Sequence, residues 1–350
     1  MSGSILSIRS FLAVTVFAAL LSSSAALAQF GDGSVVEKEK PTKKNGRAAS
    51  ADPTANLDMG TMETEQWKVG VKITARGGNC SGLFATIPVP TDWEPEQKVR
   101  VVKEDFSSEV RKVKFRMIDG GVKQMLVTIP NLPAGKTAHA FVTYEIDRHP
   151  TKAPAETDGY KVLPKKRLPR QLKKFLAASP YIEVRNRQIR SVAKELKDPE
   201  LNAWEQVEKV YDWVRENVEY ENGPLKGALA ALRDKNGDCE ELTSLFIALC
   251  RSMDIPARTV WVPDHCYPEF YLVDADGNGQ WFPCQAAGAR AFGSMYETRP
   301  VLQKGDSFQV PEKKERQRYV SEFLKGLKSN GTPVVEFVRE SSKNGQVNMK

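Results

Sequence analysis

The sequence predicts an α+β protein, with an N-terminal immunoglobulin-like β-sandwich followed by a domain in which helices lead into strands. Three observations carry this. Between residues 63 and 148, apolar side chains recur at every second position in short runs separated by turn residues. From residue 165 they recur at helical spacing. Beyond residue 255 strand-like runs return, as WVPDHCYPEFYLV (261–273) and GQWFPC (279–284).

Taken in order, residues 1–28 have the form of a secretory signal peptide. Arg9 supplies the basic segment, FLAVTVFAALL (11–21) the apolar one, and Ala26-Leu27-Ala28 a small-x-small cleavage site. The apolar run is too short to span a bilayer and no later run is longer, so no transmembrane segment is expected. The mature chain is expected to begin near Gln29 and to be periplasmic or extracellular. About 320 residues then remain, enough for two domains. Residues 29–60, rich in Lys, Gly, Ala, Thr and Asp, make a disordered linker.

Residues 61–150 form the sandwich. Val69, Val71 and Ile73 share one face of a strand, as do Val113, Phe115 and Met117. So do Ala140, Val142, Tyr144 and Ile146, and QMLVTIP (124–130) adds another strand. Asp119-Gly120-Gly121 and Pro133-Ala134-Gly135 supply turns. Short strands at this spacing suit a two-sheet module. His139 and His149 have no partner pattern and are structural.

Residues 151–340 form the second domain, with 341–350 a frayed tail. RQLKKFLAAS (170–179), VRNRQIRSVAKEL (184–196), WEQVEKVYDWVRENV (204–218) and LKGALAALR (225–233) are helical in period. PEKKERQRYVSEFLKGLK (311–328) offers a further helix, with Tyr319, Phe323 and Leu327 on one stripe.

The formal charge is +7. It falls to about +6 without Arg9, because no acidic residue leaves with the signal peptide. Much of the excess lies in 38–44, 164–174 and 311–318. These clusters suit solvated surface and linker; the alternative is attraction to an anionic cell-envelope surface. No basic patch carries interleaved aromatics, so no nucleic acid is expected as a partner. The five cysteines are too few for a disulfide scaffold, and their odd number leaves one thiol unpaired in an oxidising compartment. DADGNG (274–279) resembles the start of a calcium loop, but position twelve is Gln285 and the flanks are strands, so a hairpin turn is expected. No metal and no cofactor are implied.

The chemistry gathers in KNGDCEELTSLFIALC (235–250). Asp238 is an N-cap and Glu241 completes a capping box; Leu242, Leu245, Phe246 and Leu249 then make an amphipathic helix ending near Met253. Cys239 takes the first helical position, where unpaired N–H groups and the helix dipole favour a thiolate. Cys250, four residues after Phe246, belongs to the buried stripe. A thiolate nucleophile needs a base, and His265 is the one histidine that follows Cys239.

GDCEELTSLFIALCRSMDIPARTV (237–260), HCYPEFY (265–271), GQWFPC (279–284) and the upstream VYDWVRENVEY (210–220) together resemble the core of the transglutaminase-like superfamily. The likeness covers about 180–290. It implies a papain-like core, with helices packed on an antiparallel sheet, that uses a Cys-His-Asp arrangement. Carried over, Cys239 is the nucleophile and His265 the acid/base. The third position departs: where the family has Asp, this chain has Gln285, beside Cys284. An amide still accepts the ring N–H but brings no charge to an imidazolium; Asp264 is the carboxylate that could compensate.

The resemblance implies thiol-dependent acyl transfer on a peptide, protein or amide substrate. The acyl-enzyme passes either to water, as in a cysteine peptidase or amidase, or to an amine, as in a transglutaminase. The alternative is an inactive scaffold serving as an envelope binding module. A disulfide between Cys266 and Cys284, on the two strands of one hairpin, stays open, as does the pairing of Cys80.

Overall fold

The period-two runs become long antiparallel strands. The computed structural model describes residues 58–327, 329–343 and 346–348. The signal peptide at 1–28 and all but the last three residues of the linker at 29–60 lie outside them. Six strands of six residues or more come first: β1 (Glu63–Arg76), β2 (Cys80–Val89), β3 (Gln97–Phe106), β4 (Lys112–Met117), β5 (Lys123–Leu132) and β6 (Thr137–Arg148). Every second residue of β1 and β6 points inward, so Val69, Val71, Ile73, Ala140, Val142 and Ile146 are buried in one core with Ile87, Met125 and Val127. On β4, Val113 and Phe115 pack against that core while Met117 is 58% exposed.

Four helices follow: α1 (Arg187–Leu196), α2 (Ala203–Asn217), α3 (Ala228–Asp234) and α4 (Cys239–Ser252). Two-residue strands β7 (Glu219–Tyr220) and β8 (Asn236–Gly237) flank α3 and pair in parallel. RQLKKFLAAS yields only one helical turn, Arg170–Lys173, continued by a 3-10 turn to Leu176. The chain then forms β9 (Ala257–Val262), β10 (His265–Val273), β11 (Gly279–Pro283) and β12 (Gln303–Lys304), a sheet in the order β11-β10-β9-β12. α4 lies across it, and Leu245, Phe246, Leu249, Phe270, Leu272 and Phe282 share one core.

The tail does not form the expected helix over 311–328. Instead β13 (Phe323–Lys325) pairs with β2, and β14 (Thr332–Lys343) pairs with β1 from Gln66 to Arg76. The open edges of the two N-terminal sheets offer unpaired backbone donors and acceptors, and these outweigh the helical period of a segment that begins at Pro311. Tyr319 packs edge-on against Trp261 at 5.2 Å, while Leu327, on the same expected stripe, is 70% exposed. With β15 (Gln346–Asn348), the sheets read β15-β14-β1-β6-β3 and β13-β2-β5-β4. Among the described residues no helix is long and apolar enough to cross a membrane.

Candidate functional site

A short parallel ladder sets the entry to α4. Glu219 N–H donates to Lys235 O and Glu221 N–H to Gly237 O, each at 2.9 Å, and Gly237 lies opposite Tyr220. A Cβ on Gly237 would come within 2.3 Å of the Glu241 Cβ, so the close approach requires glycine here. Asp238 then caps the helix. Its Oδ1 accepts from Glu240 N–H at 2.7 Å, and Glu241 Oε2 accepts from Asp238 N–H at 3.2 Å. Glu241 Oε1 also accepts from Lys226 N–H at 2.8 Å, tying α4 to the segment before α3. Cys239 is the first residue of α4 and is half-buried.

β9 and β10 are joined by a turn at Pro263-Asp264, and His265 opens β10. Its Nε2–H donates to Gln285 Oε1 at 2.8 Å, which leaves Nδ1 to meet the thiol. Gln285 is held from behind by α2: Tyr211 Oη–H and Arg215 Nη1–H donate to its carbonyl at 2.8 and 2.9 Å. Its own N–H donates to Ala291 O at 2.7 Å. The fold thus brings Cys239, His265 and Gln285 together from a helix, a strand and the residues after β11. Asp264 is exposed at the turn (φ 56°); the carboxamide of Gln285 holds the ring.

The Cys239 thiol is pulled down to about 4. The hydrogen bond from the Cys266 thiol is the largest cause, followed by burial acting the other way and then by the bond to His265. Burial alone would lower His265, but hydrogen bonds to Cys239 and Gln285 outweigh it and hold the ring above its ordinary value. Together these favour a thiolate–imidazolium pair. Around it, burial pushes Asp238 up to about 6 and Glu240 up to about 7; Glu240 pairs with Arg318.

Cys266 is the neighbour that sequence reasoning missed. Its placement on a hairpin suggested Cys284 as its partner, yet both are free thiols, as are Cys80 and Cys250. Strand alternation was the available signal: Cys266 falls on the same side of β10 as Phe270 and Leu272, which face α4. Cys250 is fully buried, and burial pushes its thiol up. His139 contacts Asp105 at 3.0 Å and His149 the Gly60 carbonyl at 3.2 Å, away from the site. In the 274–279 loop, Asp274 Oδ1 accepts from the N–H groups of Asp276 and Asn278, which makes a hairpin turn. A cavity of about 670 Å³ lined by Arg170, Lys174, Phe308 and Arg316 includes none of the three site residues.

Among solved structures, a Cytophaga hutchinsonii protein described as a "putative cysteine protease" is similar in fold. Its TM-score is 0.51 at 18% identity, over 80% of this chain and 93% of that one. The periplasmic domain of TgpA from Pseudomonas aeruginosa, bound to ethylmercury, aligns over 65% of this chain and 90% of its own at 12% identity. Its TM-score is 0.33. No curated protein sequence matches the chain. The family model of the Transglutaminase-like superfamily matches residues 190–286, from within α1 to the residue after Gln285, and that segment is a transglutaminase-like core.

Proposed function

We propose that the chain is an exported thiol enzyme that acts on a peptide, protein or other amide through a Cys239 acyl-enzyme. The observation that carries this is the convergence of Cys239, at the N-terminus of α4, with a His265 held by Gln285, the thiol being pulled down to about 4. The Cys239 thiolate adds to the amide carbonyl, and the Cys239 N–H, which has no intrahelical acceptor at the first helical position, steadies the oxyanion. His265 passes its Nδ1 proton to the leaving amine as the C–N bond breaks. The thioester remains. Neutral His265 then takes a proton from water, the resulting hydroxide displaces the thiolate, and the carboxylic acid departs. An amine in place of water gives transamidation. Hydrolysis is the favoured outcome, and the fold shared with the Cytophaga hutchinsonii protein supports it.

Within this reading, residues 61–150 are an immunoglobulin-like module and 151–340 the catalytic domain, lent strands by its tail. The signal peptide at 1–28 and the linker at 29–60 deliver the chain to the periplasm or beyond, and the basic clusters suit an anionic envelope surface.

The test is the rate of Cys239 alkylation by iodoacetamide against pH, with Cys239→Ala and His265→Ala as controls, followed by a screen of peptides and amines. The expected profile rises near pH 4, and its midpoint moves toward the free-thiol value of about 8.5 without His265. A wild-type midpoint near that free value would overturn the enzyme reading in favour of an inactive binding module.

A further inference from the structure

We propose that Cys266 is a resolving thiol for Cys239, so that a low-molecular-weight disulfide converts the pair into a Cys239–Cys266 disulfide that removes the nucleophile reversibly. This rests on the thiolate reading of Cys239 and adds to it an oxidative modification site.

The geometry comes from two elements meeting at right places in their periods. On α4, Thr243 lies four residues after Cys239 and therefore on the same face, one turn along. Cys266 Sγ–H approaches Thr243 Oγ1 at 3.8 Å, and Thr243 Oγ1–H approaches Cys266 O at 3.5 Å. The second residue of β10 is thus docked one turn along α4 from Cys239, and the two thiols lie near enough to shift each other's ionisation. The side chain of Cys266 is on the helix-facing side of the strand. The bond distance of a disulfide is about 2.05 Å, so the two sulfurs have to approach further, with the helix and the strand as anchors.

Exposure sets the order of events. Cys239 is half-buried and ionised, whereas Cys266 is 1% exposed. A small disulfide R–S–S–R therefore meets Cys239 first. The Cys239 thiolate attacks one sulfur, a Cys239–S–S–R bond forms, and R–S⁻ leaves. Cys266 then attacks the Cys239 sulfur, the Cys239–Cys266 bond forms, and its proton leaves with the second R–S group as R–SH. The protein is oxidised by two electrons and the disulfide reagent is reduced by two. Burial and the neighbouring thiolate both keep Cys266 protonated in the resting site; capping Cys239 removes the second influence at the moment when Cys266 has to ionise. The remaining thiols do not compete, because Cys80, Cys250 and Cys284 are each 0% exposed.

The experiment treats folded wild type, Cys266→Ala and Cys266→Ser with oxidised glutathione, blocks residual thiols, and maps the products. Cleavage after Glu240, Arg251 and Glu269 puts Cys239, Cys250, Cys266 and Cys284 on four different peptides, so each cross-link has its own mass. Wild type is expected to yield a peptide pair joined through Cys239 and Cys266, to retain no glutathione, and to lose iodoacetamide reactivity until dithiothreitol restores it. Both variants are expected to stop at one glutathione on Cys239. A wild-type product that also stops there would overturn the assignment while leaving the thiolate reading intact. Failure of Cys239 to react at all would overturn both. The wild-type map decides the matter even where a variant does not fold.

Discussion

At the scale of the residue, the amide of Gln285 sets how long His265 keeps its proton. It accepts the Nε2–H at 2.8 Å and so fixes the ring, but it offers no charge to the imidazolium. The proposed acid/base role needs the protonated ring for amine departure and the ionised thiol for attack. Rates of amide turnover are therefore expected to be bell-shaped. The acid limb lies near 4, where Cys239 ionises, and the alkaline limb above 6.5, where His265 deprotonates. A carboxylate at position 285 would strengthen the imidazolium. Gln285→Asp is expected to move the alkaline limb upward by about one unit, equal to about 1.4 kcal/mol, while Gln285→Ala lowers kcat by freeing the ring. An unmoved limb in Gln285→Asp, measured on any substrate that turns over, would show that this position does not address the histidine.

At the scale of the element, α4 depends on the two residues before it. Asp238→Ala removes a cap and half of a capping box, an expected loss of about 1 kcal/mol in chemical denaturation. Asp238→Asn keeps the acceptor and is expected to retain most of that stability. The pH dependence separates the two roles. Burial raises this carboxyl from 3.8 to about 6 in the folded protein, so the folded state binds the proton more tightly than the unfolded chain. Its contribution therefore weakens as pH rises through that interval, and Asp238→Asn is expected to flatten the slope there. Helical period alone was a poor guide at 311–328. There the open edge of the sheet at β2 and the ring of Trp261 claimed residues whose spacing fitted a helix equally well.

At the scale of the whole molecule, the N-terminal sheets and the β11-β10-β9-β12 sheet are joined by buried charge. Arg148, at the end of β6, donates to Glu96 at 3.1 Å and to the Tyr267 hydroxyl at 3.1 Å. Lys304 binds both Glu96 and Glu269, the latter at 2.7 Å, and Arg258 pairs with Glu269 at 2.7 Å. Burial alone would raise Glu269, but Lys304 and then Arg258 hold it at about 2. Glu269→Ala leaves two buried cations short of a partner and is expected to cost about 3–5 kcal/mol in thermal or denaturant unfolding. The sign with pH is that of a depressed carboxylate. Its stabilisation is complete above the ordinary value of 4.5 and is lost as pH falls toward 2. Glu269→Gln should therefore flatten acid unfolding across that window.

The sequence by itself determined what local periodicity and capping chemistry encode. The inward faces of β1, β5 and β6, the four helices α1–α4, and Cys239 at a capped helix start were all legible, because each depends on neighbours within a few residues. The family likeness supplied His265 and position 285, and 190–286 is the stretch the family model matches. Tertiary structure decided the rest. β2 and β3 escaped notice because both faces of one are largely buried and most of the other is exposed, so neither alternates cleanly. The far end of the chain closes sheets that begin at Glu63 and Cys80, a pairing that depends on edges with no local signature. Cys266 meets Cys239 rather than Cys284 because its contacts follow from how a helix lies on a strand, which spacing along the chain does not record.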